Sequence, residues 1–277
     1  MNGNYPPNYL INTAMITVSR LITYPFKSAK GIALPQATFD NEGMTNDRRL
    51  MAINDKGIFL TARNAPRLLG ITCTPTENGW ELSHADMADT LTITPNHDKI
   101  LSTKIWGDEV DALDAGAEAS NWISEVVQMK AHVGLWHAKS RHSAKYDLET
   151  SFADTAPLLI ANEASMKQAC EWAGIEYDYR RFRPNIVISG VEAFEEEKWA
   201  SFQIGSATFE MLDTCERCII TTRDPDTNEA HKTQEPLRSL MTHHANASRR
   251  PIMGVNAKLI NDPKSVVISV NDTVLPQ

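Results

Sequence analysis

The sequence predicts a mixed, β-rich α+β fold. Residues 15–103 break into short β-branched runs separated by turn residues, only three stretches carry helical spacing, and 42% of the 277 residues are hydrophobic. A chain of that size and content can bury a large core. Many short strands with turns between them point to a barrel or a sandwich.

The elements follow in order. Residues 1–14 have neither a basic start nor an apolar middle, so an unstructured leader is expected there rather than a secretory signal. The first strand is expected at 16–24. Residues 49–54 and 58–61 read as a hairpin in which Gly57 supplies the positive φ of the turn. Further strands are expected at 69–74, 80–83, 90–94 and 100–106. A helix is predicted over 117–130, where Trp122, Val126 and Met129 fall at helical spacing, and a second over 163–172, with Asn162 as N-cap and Gly174 as stop. Then come a strand at 185–189, a hairpin about Gly205 and Ser206, a strand at 218–222, a turn at 224–228, a short helix near 236–243 and a last strand at 266–270. A boundary near residue 130 divides the chain into an N-terminal region, 15–130, and a C-terminal one, 131–277.

Composition narrows the function. Lys and Arg number 27 against 35 Asp and Glu, a formal charge of −8. Such a surface repels phosphate backbones and disfavours nucleic acid as a partner. No apolar run approaches the roughly 20 residues that span a bilayer, so no membrane partner is expected. Cys73, Cys170, Cys215 and Cys218 are too few for a disulfide scaffold and read as reduced thiols of a cytoplasmic protein. The chain has no Gly-rich phosphate loop and no G-x-S-x-G elbow, so nucleotide-dependent and serine-hydrolase chemistry have no support.

What chemistry remains centres on Cys215-Glu-Arg-Cys218. A structural zinc site would need two more ligands, and His132, His137 and His142 lie far upstream. A redox pair would need a helix start inside a βαβ pattern, whereas an apolar, strand-like run follows Cys218. Two buried thiols are the plain alternative. Arg217 tips the balance, because a guanidinium beside Cys218 favours the thiolate that ligates metal. Lys27, Arg48 and Arg183 also lodge in apolar, strand-like contexts of an acidic protein. Each could have a private salt bridge, with Asp47 and Asp178 available, or they could share one buried anion such as a phosphate. The acidic run 192–197 reads as a solvated loop, and Trp106, Trp122, Trp136, Trp172 and Trp199 read as core packing.

Six segments, taken together and in order, resemble the MOSC family. They are Tyr24-Pro-Phe-Lys-Ser-Ala-Lys-Gly31, Asn46-Asp-Arg-Arg49, Phe59-Leu-Thr-Ala-Arg63, Asp154-Thr-Ala-Pro-Leu-Leu-Ile-Ala-Asn-Glu-Ala-Ser165, Phe182-Arg-Pro-Asn-Ile-Val-Ile-Ser-Gly190 and Cys215-Glu-Arg-Cys-Ile-Ile-Thr-Thr-Arg-Asp-Pro-Asp226. Within the family the chain is similar to the mitochondrial amidoxime-reducing components and to bacterial YcbX-type reductases. The resemblance implies an N-terminal β-barrel region packed on a β-barrel-like MOSC domain, with a molybdenum cofactor (molybdopterin) between them. It implies Cys218 as the metal ligand, and Lys27, Ser28, Arg48, Arg183, Asn185 and Arg217 as pterin- and phosphate-binding residues. Asp154 and Thr155 match positions lining the metal pocket, Asp154 being a candidate for proton delivery or substrate orientation, and Asn256 is grouped with the cofactor contacts. Three departures are noted: Glu216 where relatives often carry Ser, Ala156 for a polar or aromatic residue, and Asn256 where mitochondrial relatives place Tyr.

The activity implied is reduction of N-hydroxylated compounds, hydroxylaminopurines or amidoximes, to amines. The chain ends near Gln277 without a ferredoxin-like extension or a mitochondrial membrane anchor, so a separate ferredoxin- or flavoprotein-type electron donor is expected. The rival expectation is a cofactor carrier or sulfur-transfer module without reductase turnover.

Overall fold

The computed structural model describes residues 15–95, 98–138 and 140–277; the leader expected at 1–14 lies outside the described residues. An eight-stranded sheet dominates the chain, in the order Ile32–Leu34, Thr17–Thr23, Ile186–Ser189, Leu158–Asn162, Ile252–Leu259, Ala207–Glu216, Ser201–Ile204, Val274–Pro276. Its centre is buried on both faces, and the side chains divide with the period of two that a strand imposes. Leu21, Ile160, Ile186, Ile188 and Val255 join one core, while Ile22, Ala161, Val187 and Met253 join the core on the opposite face. The helix Glu163–Ala173 covers that second face with Met166, Ala169 and Cys170. Asn162 caps it by accepting from Ala164 N at 3.1 Å, and Gly174 ends it in the left-handed region at φ 63°.

A four-stranded sheet, Leu50–Asn54, Ala131–Leu135, Asp108–Asp114, Ile100–Ile105, builds the other half. The helix Ala117–Val127 and the meander Thr72–Thr76, Gly79–Ser83, Leu91–Ile93 close a separate core over it. The halves exchange strands: Thr17–Thr23 pairs within the eight-stranded sheet, while Ala131–Leu135 pairs with Leu50–Asn54. The architecture is thus a β-rich α+β fold, with three α-helices among the described residues. No helix among them is long and apolar enough to cross a membrane.

Several expectations are corrected. Residues 218–222 form no strand but a 3-10 turn, Ile219–Thr222. Thr221 and Thr222 donate their hydroxyls to the carbonyls of Cys218 and Ile219 (2.9 and 2.8 Å), a local bond that competes with extended pairing. The strand expected at 69–74 starts only at Thr72, after a 3-10 turn opened by Pro66. The helix expected to reach 130 stops at Val127 because Gln128 turns left-handed at φ 57°. A further strand, Val274–Pro276, follows the one expected to be last. The acidic run is not wholly solvated either, because Glu196 is buried.

Candidate functional site

The site grows from the loops that leave the strand ends between the two sheets. Phe26 bridges to Leu50, and Lys27 N donates to Leu50 O at 2.7 Å, which turns the Lys27 side chain out of the core beside the chain reversal at Ser28 (φ 67°). Its Nζ donates to Phe152 O at 2.8 Å and pairs with Asp154. Burial lowers the Lys27 ammonium to about 8, with Asp154 opposing. Burial would raise the Asp154 carboxyl, but Lys27 and Arg63 outweigh it and hold the group well below the usual carboxylate range. Arg141, itself buried, fixes the loop by donating to the carbonyls of Ala153 and Asp154 while paired with Asp108 at 2.8 Å.

A second tie holds the opposite wall. Asn185 is buried and spends its amide on four partners: Oδ1 accepts from Arg48 Nη1 (3.0 Å) and Leu159 N (3.1 Å), and Nδ2 donates to Asp47 Oδ1 (3.0 Å) and Ile22 O (3.2 Å). Arg48 is also paired with Asp47 at 2.5 Å, so the private-bridge alternative holds for that cation. It does not hold for Arg183. Asp178 pairs with Arg180 instead, and Arg183 donates to Ala29 O at 2.8 Å with no carboxylate in ion-pair reach among the described residues. The guanidinium carbons of Arg48 and Arg183 lie 4.4 and 4.3 Å from the centroid of the buried Tyr24 ring.

The thiols are placed differently from the expectation. Arg217 does not serve Cys218; it donates to Cys215 Sγ at 3.1 Å and to Phe182 O at 2.6 Å. Burial raises the Cys215 thiol against that guanidinium. Arg217 N bonds Pro251 O, and at that point the strand pairing ends and the chain swings away. The cation at Cys218 is Arg63, whose Nη2 lies 3.5 Å from Sγ and 3.3 Å from Asp154 Oδ2. Cys218 itself is half-buried.

These parts enclose an open cleft with a cavity volume of about 260 Å³. Lys27, Ser28, Arg48, Asp154, Thr155, Arg183, Asn185, Arg217, Cys218 and Asn256, the ten residues singled out from the sequence, all line it. Six cationic side chains against two carboxylates face this space in a protein of net charge −8, so it suits an anion. Three of the guanidinium nitrogens, Nη1 of Arg63 and Nε of Arg181 and of Arg217, are buried without a hydrogen-bond partner among the described residues. No group of three or more His, Cys, Asp or Glu among the described residues is placed to hold a metal. Sequence reasoning missed Arg63, Arg181, Arg141 and the rim residue Trp106. Trp106 was expected in the core and is 54% exposed, because it sits at a hairpin tip. Recognising 108–114 as the partner of 100–105 would have revealed that tip.

A family model described as the MOSC N-terminal beta barrel domain matches residues 15–130, and one described as the MOSC domain matches 147–275. A mitochondrial amidoxime reducing component 2 of Macaca fascicularis is 32% identical over 243 residues, covering 82% of this chain and 72% of the relative. Mitochondrial amidoxime-reducing component 1 of Mus musculus is also 32% identical, over 82% of this chain and 71% of the relative. The human component 1 is 31% identical over 254 residues, 86% of this chain and 75% of the relative.

Proposed function

The chain belongs to the MOSC family, and from that premise we propose that it is a molybdenum-cofactor-dependent oxidoreductase reducing N-hydroxylated compounds, such as amidoximes and hydroxylaminopurines, to amines. The observation that carries the proposal is the half-buried Cys218 thiol in a cleft whose cations outnumber its carboxylates. The residues fit a phosphorylated, metal-bearing pterin. Cys218 Sγ has Arg63 as its hydrogen-bond partner, Arg183 lacks a carboxylate among the described residues, and Nε of Arg217 is buried without a partner.

In this proposal Cys218 holds the metal, and Lys27, Ser28, Arg48, Arg183, Asn185, Arg217 and Asn256 hold the pterin and its phosphate. The bound cofactor supplies a two-electron cleavage of the N–O bond, in which R–NHOH, two electrons and two protons give R–NH2 and water. Asp154 stays ionised, so it orients the substrate by accepting from its N–H or O–H, with Thr155 beside it. Lys27 Nζ, adjacent to Asp154 and lowered by burial to about 8, is the group able to give a proton near neutral pH. Electrons come from a separate ferredoxin- or flavoprotein-type protein, and the four free cysteines suit a cytoplasmic location.

The test is molybdenum content together with benzamidoxime reduction by a chemically reduced sample. Cys218→Ala is expected to lose both, and retention of both would overturn the proposal. Openness of the cleft also suits a cofactor carrier. Labile cofactor that restores a partner apo-enzyme, with no turnover of benzamidoxime, would favour that second reading.

A further inference from the structure

The hairpin joining Ile100–Ile105 to Asp108–Asp114 turns on two residues, Trp106 and Gly107. Both have positive φ, 53° and 105°. This is the geometry of a type I′ turn, whose first position favours Asn or Gly. A bulky indole there adopts the left-handed backbone at a cost, and burial does not offset it, because Trp106 is 54% exposed.

Its surroundings give that cost a purpose. Trp106 lines the cleft. The Arg63 guanidinium lies 4.6 Å from the indole centroid, and Phe59 meets the ring edge-on at 5.3 Å. Arg63 is the same cation that reaches Asp154 and Cys218 Sγ. The indole is therefore held in place at the mouth of the cleft, one guanidinium away from the thiol, with much of its π surface still open to solvent. A packing role would bury that surface, and a flexible tip would not carry two aromatic and cationic contacts.

We propose that Trp106 is a specificity-determining residue, a stacking platform that makes planar, conjugated N-hydroxylated compounds better substrates than saturated ones. This rests on the reductase function proposed above. A planar ring laid on the indole gains dispersion and quadrupole contact that a puckered ring of the same size does not.

The test compares benzamidoxime with cyclohexanecarboxamidoxime, which carry the same reacting group on a flat and a puckered ring. Chemically reduced holoenzyme is used, so no donor protein takes part. In Trp106→Asn the KM for benzamidoxime is expected to rise roughly fivefold to tenfold, the loss of one stacking contact, and the KM for the saturated analogue far less. Trp106→Phe restores most of the preference. Because Asn-Gly is the favoured type I′ pair, Trp106→Asn melts no lower than the natural chain, which separates selectivity from folding. An unchanged substrate ratio with molybdenum content intact overturns the inference and leaves the reductase function standing. An equal loss for both substrates overturns it in favour of a structural role. Absence of turnover by the metal-loaded natural chain overturns the reductase function itself.

Discussion

Glu196 is enclosed by donors from its own chain, whereas several arginines of the cleft keep donors that no described group accepts. Ser165 Oγ lies 2.8 and 2.9 Å from the two Glu196 oxygens, and Asn162 N donates to Oε1 at 3.2 Å. Ser165 Oγ in turn accepts from Phe194 N at 2.7 Å, and Asn162 Nδ2 donates to Glu192 O at 2.6 Å. That knot ties the start of the helix Glu163–Ala173 to the acidic loop and closes on itself. In the cleft, Arg183 has no carboxylate partner and Nε of Arg217 no partner at all among the described residues. Four residues there, Ser28, Arg48, Trp106 and Arg183, hold positive φ, against one, Phe194, beside the knot. Both regions bury charge on loops. Closure marks one as architecture, and open donors with stored strain mark the other as a binding site.

Mutation should break the two regions in different currencies. Cys218→Ala is expected to abolish metal binding and activity while the melting temperature of the cofactor-free chain hardly moves, since the side chain has one hydrogen-bond partner among the described residues, Arg63; metal analysis of loaded protein and calorimetry of cofactor-free protein check this. Glu196→Ala should do the reverse. It strands the Ser165 hydroxyl and the Asn162 amide, costing on the order of 2 kcal/mol of stability, with metal content per folded molecule unchanged. Arg183→Ala should weaken cofactor retention roughly tenfold to a hundredfold, as loss of a charged hydrogen bond does, without lowering stability, because it removes a half-buried cation that has no carboxylate partner among the described residues. Equilibrium dialysis and urea unfolding report the two effects separately.

The same contrast sets what could be read from the sequence. Local signals survived folding: the Asn162 cap, the Gly174 stop and the turn at Gly205 depend on neighbouring residues alone. Lys27, Arg48 and Arg183 were legible because a cation inside an apolar run demands a partner. The Arg63–Cys218 contact was not, for it joins residues 155 positions apart through strand pairings that no local pattern specifies. Glu196 escaped for the converse reason. Three consecutive acids look solvated, and only the approach of Ser165 from the helix shows which one turns inward.

A pH series sharpens the comparison with smaller effects. Burial raises the Glu196 carboxyl to about 7, with Ser165 opposing. Between its ordinary value and about 7 the folded chain binds more protons than the unfolded one. Stability from this group is therefore fully present at low pH and is lost as pH rises through about 7. Glu196→Gln should flatten that part of the stability profile.

Lys27 should give the opposite pattern, and it is the finer test. Its ammonium is lowered to about 8, so from about 8 up to the ordinary lysine value the folded apo chain holds fewer protons than the unfolded one. Stability contributed by Lys27 therefore rises with pH across that window. Retention of an anionic cofactor runs the other way, because neutral Lys27 no longer attracts it, and a bound anion moves the midpoint to somewhat above 8 by favouring the ammonium. The loss should be modest, roughly threefold to tenfold, since Arg48, Arg183 and Arg217 stay charged. Lys27→Met should weaken retention at neutral pH and remove its dependence on pH near 8. Retention and stability that fell together above pH 8 would mean that Lys27 serves the fold rather than the ligand, and the division between the closed knot and the open cleft would fail at that residue.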